Sequence, residues 1–157
     1  MENSLNILAE SLDKKIEVLK EIQVYNDKQE KVFCDEHPDM SSFDDAIEEK
    51  GRLIEKLEKL DEGFETLYAE VSDQLKNDRS RYTVQIKQLQ DKITTITELS
   101  ANIQAKEIRN KKLIEDYFSY QRKNLKKNRV NSKVAYGYYK SMSGIENVEP
   151  QYMDSKK

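Results

Sequence analysis

The sequence predicts an all-α protein: an elongated, coiled-coil-like antiparallel bundle of three long helices, followed by a flexible C-terminal tail. Three observations carry this. Hydrophobic residues make up 36% of the chain and charged residues another 36%, with four glycines, two prolines and no tryptophan. Such a composition is too thin for a globular core but suits helices that each bury one stripe. Ahead of Leu125, apolar residues recur mostly three and four apart, the spacing that lines one face of a helix. Breaks in that spacing fall at Pro38 and at Asn77-Asp78, residues that stop helices or form turns.

The first helix is expected over about residues 3–36. Its stripe is Leu5, Leu8, Leu12, Ile16, Leu19 and Ile22, with Tyr25, Val32 and Phe33 continuing the face. Glu10 before Lys14 and Asp27 before Lys31 are acid-to-base pairs four apart, each supporting an exposed helical face by roughly 0.2–0.5 kcal/mol. Pro38 disfavours helical geometry at His37, so the helix should end by Glu36.

The second helix is expected over about 42–76. Ser41 and Ser42 precede Phe43, with Asp44 and Asp45 three positions on, a capping-box arrangement that satisfies the first free N–H groups. A seven-residue repeat then places Phe43, Lys50, Leu57, Phe64 and Val71 at one seam position and Ala46, Leu53, Leu60, Leu67 and Gln74 at the other. Eight of these ten are apolar, which marks Leu57 and Leu60 as core residues. The adjoining column Ile47, Ile54, Asp61, Tyr68 and Leu75 widens the stripe, so this helix should touch at least two neighbours. Gly51 and Gly63 lie inside it, each costing about 1 kcal/mol relative to Ala, and close approach of a neighbouring helix is the expected reason for them.

The third helix is expected over about 79–127, with an extension to 139 left open. Tyr82, Ile86, Leu89, Ile93, Ile96, Ser100, Ile103, Glu107, Asn110, Ile114 and Tyr117 form its stripe. The stripe changes phase at Asn77-Asp78, which is read as a tight reversal in preference to a bent continuous helix. Residues 1–139 then constitute the bundle and 140–157 the tail, where Gly144, Pro150 and the loss of periodicity argue against a packed element.

Chemistry is sparse. With one His, one Cys and four scattered glycines, the chain lacks the groups from which catalytic sites, metal centres and phosphate loops are assembled, so no catalytic residue, no metal ligand and no cofactor is expected. Cys34-x-x-His37 is the nearest approach to a site, and no second Cys or His exists to complete it; Cys34 is expected to pack as a small apolar side chain, with His37 near the negative end of the first helix. The adjacent carboxylates Asp44, Asp45, Glu48 and Glu49 are expected to face water.

The N-terminus has neither the basic start nor the apolar run of a signal peptide, and no stretch approaches the ~20 apolar residues of a membrane span. The cytoplasm is the expected compartment, without membrane insertion. The net charge of −3 is unevenly spread: residues 35 to 75 hold fourteen acidic against four basic residues, and residues 121 to 140 hold seven basic and no acidic ones. The basic run, interleaved with Tyr136, Tyr138 and Tyr139, has the chemistry to meet phosphates and bases, but a net-acidic chain with no other nucleic-acid feature argues against that use.

The third helix weakens between Ser100 and Asn110, where SANIQAKEIRNKK puts Ser100, Glu107 and Asn110 on the seam. In one reading Asn110 pairs inside the bundle and fixes its register. In the other the stretch is a partly open groove that a partner helix completes, with Ile103, Leu113, Ile114, Tyr117 and Phe118 as its floor.

Together these features resemble the FlgN-type flagellar export chaperones. The resemblance is carried by LNILAESLDKKIEVLKEI, by FDDAIEEKGRLIEKLEKLD, by Asn110-x-x-Leu113-Ile114, and by AYGYYKSMS with PQYMDSKK. The outer two stretches are similar to versions from Gram-positive anaerobes. It implies a non-catalytic protein without cofactor that binds the C-terminal helices of hook-filament junction proteins, prevents their early polymerisation and hands them to a component of the export gate. It further implies a client site toward the third helix and a gate-docking tyrosine after it, for which Tyr136 is favoured over Tyr138 and Tyr139. The chaperone of the filament-cap protein shares this architecture. A self-associating structural coiled coil is the alternative from another class: it would form a stable oligomer, whereas a chaperone is expected as a monomer or weak homodimer.

Overall fold

Where the helices stop is decided by a few side chains. The computed structural model describes residues 1–124, which form α1 (Glu2–Val32), α2 (Met40–Asn77) and α3 (Thr83–Asn124). The basic run beyond α3, Tyr136 and the expected tail all lie outside the described residues. α1 ends at Val32, four residues short of the expected stop. There the Phe33 and Cys34 N–H groups donate to the Glu30 and Lys31 carbonyls at 3.2 and 3.0 Å, tightening the last turn before Pro38 can act.

α2 begins at Met40, capped by Asp39 and not by the serines. The Asp39 carboxylate accepts the Ser41 and Ser42 N–H groups at 3.1 and 3.3 Å and the Ser42 hydroxyl at 2.9 Å, placing both serines within the helix. The Ser42 hydroxyl and these amides hold the Asp39 carboxyl below its ordinary range. At the far end the Asp78 N–H reaches the Gln74 carbonyl at 2.9 Å. The Arg81 and Tyr82 N–H groups then return to Asp78 and Arg79 at 2.9 and 3.2 Å, completing the reversal expected from the change of phase.

α1 packs along both other helices. Against α2 the partners converge in sequence toward the connecting loop, 46 positions apart at Lys15–Asp61, 24 at Asn26–Lys50 and 14 at Gln29–Phe43, so the two run antiparallel. Against α3 the separation is nearly constant, 79 at Asp13–Lys92, 79 at Gln23–Asn102 and 76 at Glu30–Lys106, so α1 and α3 run parallel. Helices of 31, 38 and 42 residues are about 46, 57 and 63 Å long at 1.5 Å per residue. The result is the rod-like all-α bundle the stripes predict.

The stripes are buried with some substitutions. Leu5, Leu8, Leu12, Leu19 and Ile22 of α1 are closed off together with Val18, but Lys15 takes the place next to Ile16, which is only half-buried. Beyond Ile22 the face passes through Asn26 and Gln29, both buried, and not through Tyr25. On α2, Phe43, Lys50, Leu57 and Phe64 are all inaccessible, while Leu60 is half-buried against the core. Lys15 donates to Asp61 at 2.7 Å. Burial pushes the Asp61 carboxyl up and the Lys15 charge opposes that shift.

Gly51 and Gly63 are not close-approach residues. A Cβ at either position meets nothing within 4 Å, so neither glycine is required by packing. Gly51→Ala and Gly63→Ala should each stabilise the fold by about 1 kcal/mol through helix propensity, read as a raised denaturation midpoint. A lowered midpoint would reveal a contact at that position.

Candidate functional site

The buried polar side chains gather at one level of the rod. Lys50, entering from α2, is fully buried, and its ammonium donates to Asn26 Oδ1 at 2.7 Å, to Gln29 Oε1 at 2.5 Å and to both oxygens of Glu107 at 2.8 Å. Burial pulls the Lys50 ammonium down from 10.5 to about 8, with Glu107 opposing. Asn110 donates to the Asn26 carbonyl at 3.1 Å and to Gln29 Oε1 at 3.5 Å, and Gln29 donates to the Phe43 carbonyl at 3.3 Å. All three helices thus contribute to one polar layer. At its rim Lys106 meets Glu30 at 2.7 Å and Asp27 at 3.2 Å, and Arg109 meets Glu30 at 3.1 Å. Hydrogen bonding to Lys106 lowers the Glu30 carboxyl, and the same bond raises the Lys106 ammonium.

This layer separates two apolar cores. On one side lies the long core of α1 up to Ile22, α2 from Leu57 and α3 up to Ile103. On the other lies a small terminal core of Met40, Phe43, Ile47 and Ile114, with Val32, Phe33, Ile54, Tyr117 and Phe118 partly buried against it; Ile54 also packs against the long core. Phe33 meets Phe43 edge-on with centroids 5.5 Å apart and Tyr117 at 6.0 Å, while Tyr117 and Phe118 are 5.9 Å apart. Such pairs contribute roughly 0.5–1.5 kcal/mol each beyond area burial.

The candidate partner-binding residues of α3 divide accordingly. Ile103 and Asn110 are fully buried and Ile114 is 2% exposed, so the weakened seam is closed, not partly open. The physical reason is Lys50: its charge and hydrogen bonds give Glu107, Asn26 and Gln29 partners inside the bundle, and Asn110 joins them. Leu113, Tyr117 and Phe118 remain half-buried, and with Phe33 the last two make an aromatic surface at the end of the rod. Cys34 is exposed, contrary to the apolar packing expected of it, with its thiol 4.0 Å from the Glu30 carbonyl. His37 is exposed too.

A family profile described as FlgN protein matches residues 1–144. The chain belongs to the FlgN family. FlgN proteins are flagellar export chaperones, not enzymes, and they bind substrates of flagellar export. Comparison with curated proteins and with solved structures gives no match. Two structural facts accompany the FlgN assignment. Among the described residues no cluster of three or more His, Cys, Asp or Glu is placed to hold a metal ion, and no described helix is long and apolar enough to cross a membrane.

Sequence reading missed the polar layer as a unit, although its signals were present. Lys50 and Glu107 occupy seam positions on two different helices with opposite charge, and Asn26 and Gln29 continue the three-and-four spacing from Ile22. Nothing in the sequence showed that these four side chains lie at one level, because that depends on the register of three helices.

Proposed function

We propose that this FlgN-family chain is a cytoplasmic chaperone of hook-filament junction proteins that takes an amphipathic C-terminal helix of its client at the Leu113–Phe118 end of α3. It acts as a monomer or weak homodimer and delivers the client to the export gate, with Tyr136 as the docking residue. The observation that carries the client site is the half-buried aromatic group of Phe33, Tyr117 and Phe118. Aromatic side chains left partly open supply the contact area an apolar helix face needs.

The test is isothermal titration of a hook-junction C-terminal peptide. Tyr117→Ser combined with Phe118→Ser should weaken binding by at least about tenfold, roughly 1.4 kcal/mol, with helix content retained. Ile114 and Ile103 are unsuitable targets because both are fully packed. Removing residues 134–157 should spare the peptide and weaken gate binding. Wild-type affinity in the double variant, or loss of the peptide on truncation, would refute this arrangement. Tighter binding of a filament-cap peptide would reassign the client.

A further inference from the structure

We infer that the polar layer is a breakpoint at which the terminal third of the bundle opens as a unit, and that a client helix enters the core exposed by that opening. The inference rests on the client reading above and adds how access is controlled. Of the residues read as groove floor, Ile103 and Ile114 are closed to solvent, as is Asn110 between them. A client helix that packs against Ile114 must therefore first part the helices around it.

The structure provides a place for this. The terminal core holds four buried apolar residues against fifteen in the long core, so far less apolar burial resists its opening. Between the two cores, Asn26, Gln29, Lys50, Glu107 and Asn110 replace apolar contact with polar contact across all three helices. No protein group pairs the buried Asn26 Nδ2 and Asn110 Oδ1, so water is the partner their hydrogen-bonding capacity calls for, and opening at this level supplies it freely. Apolar contact across this level runs through Ile54, so the layer is a seam where few apolar contacts couple the two cores. Opening beyond it bares Met40, Phe43, Ile47 and Ile114, an apolar surface continuous with Phe33, Tyr117 and Phe118. An amphipathic helix is the occupant that covers such a surface while keeping its own polar face wet.

Native-state hydrogen exchange on the full chain tests the breakpoint without any substitution. Amides of 27–32, 44–50 and 108–123 should exchange together, at least about tenfold faster than those of 8–22, 57–75 and 86–103, through an opening of shallow denaturant dependence. One common opening for both groups overturns the inference. In a Lys50→Met/Glu107→Leu chain, where the ion pair at the centre of the layer is replaced by apolar side chains, the two groups should approach one another and a hook-junction C-terminal peptide should bind at least about tenfold more weakly. Unchanged peptide binding in that chain, alongside loss in the Tyr117/Phe118 variant, sinks the access step and keeps the client site. If the peptide fails to bind even the wild type, the client reading falls and the access step with it, while the exchange pattern still decides whether the breakpoint exists.

Discussion

Replacing Lys50 with Met should destabilise the fold by about 3–5 kcal/mol, because Glu107 is then left as a buried carboxylate without its cation. Both its oxygens lie 2.8 Å from the Lys50 ammonium, and the two side chains are 0 and 3% accessible. Combining Lys50→Met with Glu107→Leu should recover part of that loss, since apolar replacement of the pair avoids the desolvation of both ions, while Asn26 and Gln29 still give up the donor they share. Chemical denaturation of the two single variants and the double variant measures this. Equal losses in single and double variants would mean that shape, not charge, matters at Lys50. The pH dependence follows from the same burial. Folded Lys50 releases its proton near pH 8, whereas the unfolded side chain keeps it to about 10.5. Between those values the unfolded state binds more protons, so stability rises with pH. Wild type should therefore gain on the double variant between pH 8 and 10, and a constant difference across that window would show that Lys50 does not titrate there.

Phe43→Ala should cost about 3–5 kcal/mol, the range for removing a fully buried aromatic ring. The ring is inaccessible, forms the centre of the terminal core and gives Phe33 its edge-on partner at 5.5 Å. Leu57→Ala, in the long core, should cost about 2–5 kcal/mol. An unaltered denaturation midpoint in either variant would place that side chain outside the core.

The legibility of this chain differs between its helices and the site they form. Helix faces are set by neighbours three and four positions apart, so Leu5 to Ile22 and Phe43 to Phe64 announced their burial in advance. Helix ends were less legible: Asp39 outcompetes Ser41 and Ser42 as a cap because one carboxylate accepts both serine amides and a hydroxyl. The candidate site was the least legible part. Whether Asn110 and Ile114 face a groove or a closed interior depends on Lys50, fifty-seven positions from Glu107 along the chain. A local pattern records that a seam is polar but not which distant residue answers it.

The parallel pairing of α1 with α3 has a consequence for the order of assembly. α1 and α2 are joined by a short loop and can close as a hairpin from local contacts, but α1's second partner lies 76 to 84 residues downstream. Contacts of such long sequence separation form late, because a long intervening chain must first be ordered. During synthesis the nascent hairpin therefore carries an uncovered apolar flank until α3 has emerged. A fragment ending at Asn77 should bind a hydrophobic dye more strongly than the full chain does, and adding residues 78–124 in trans should lower the signal toward that of the full chain.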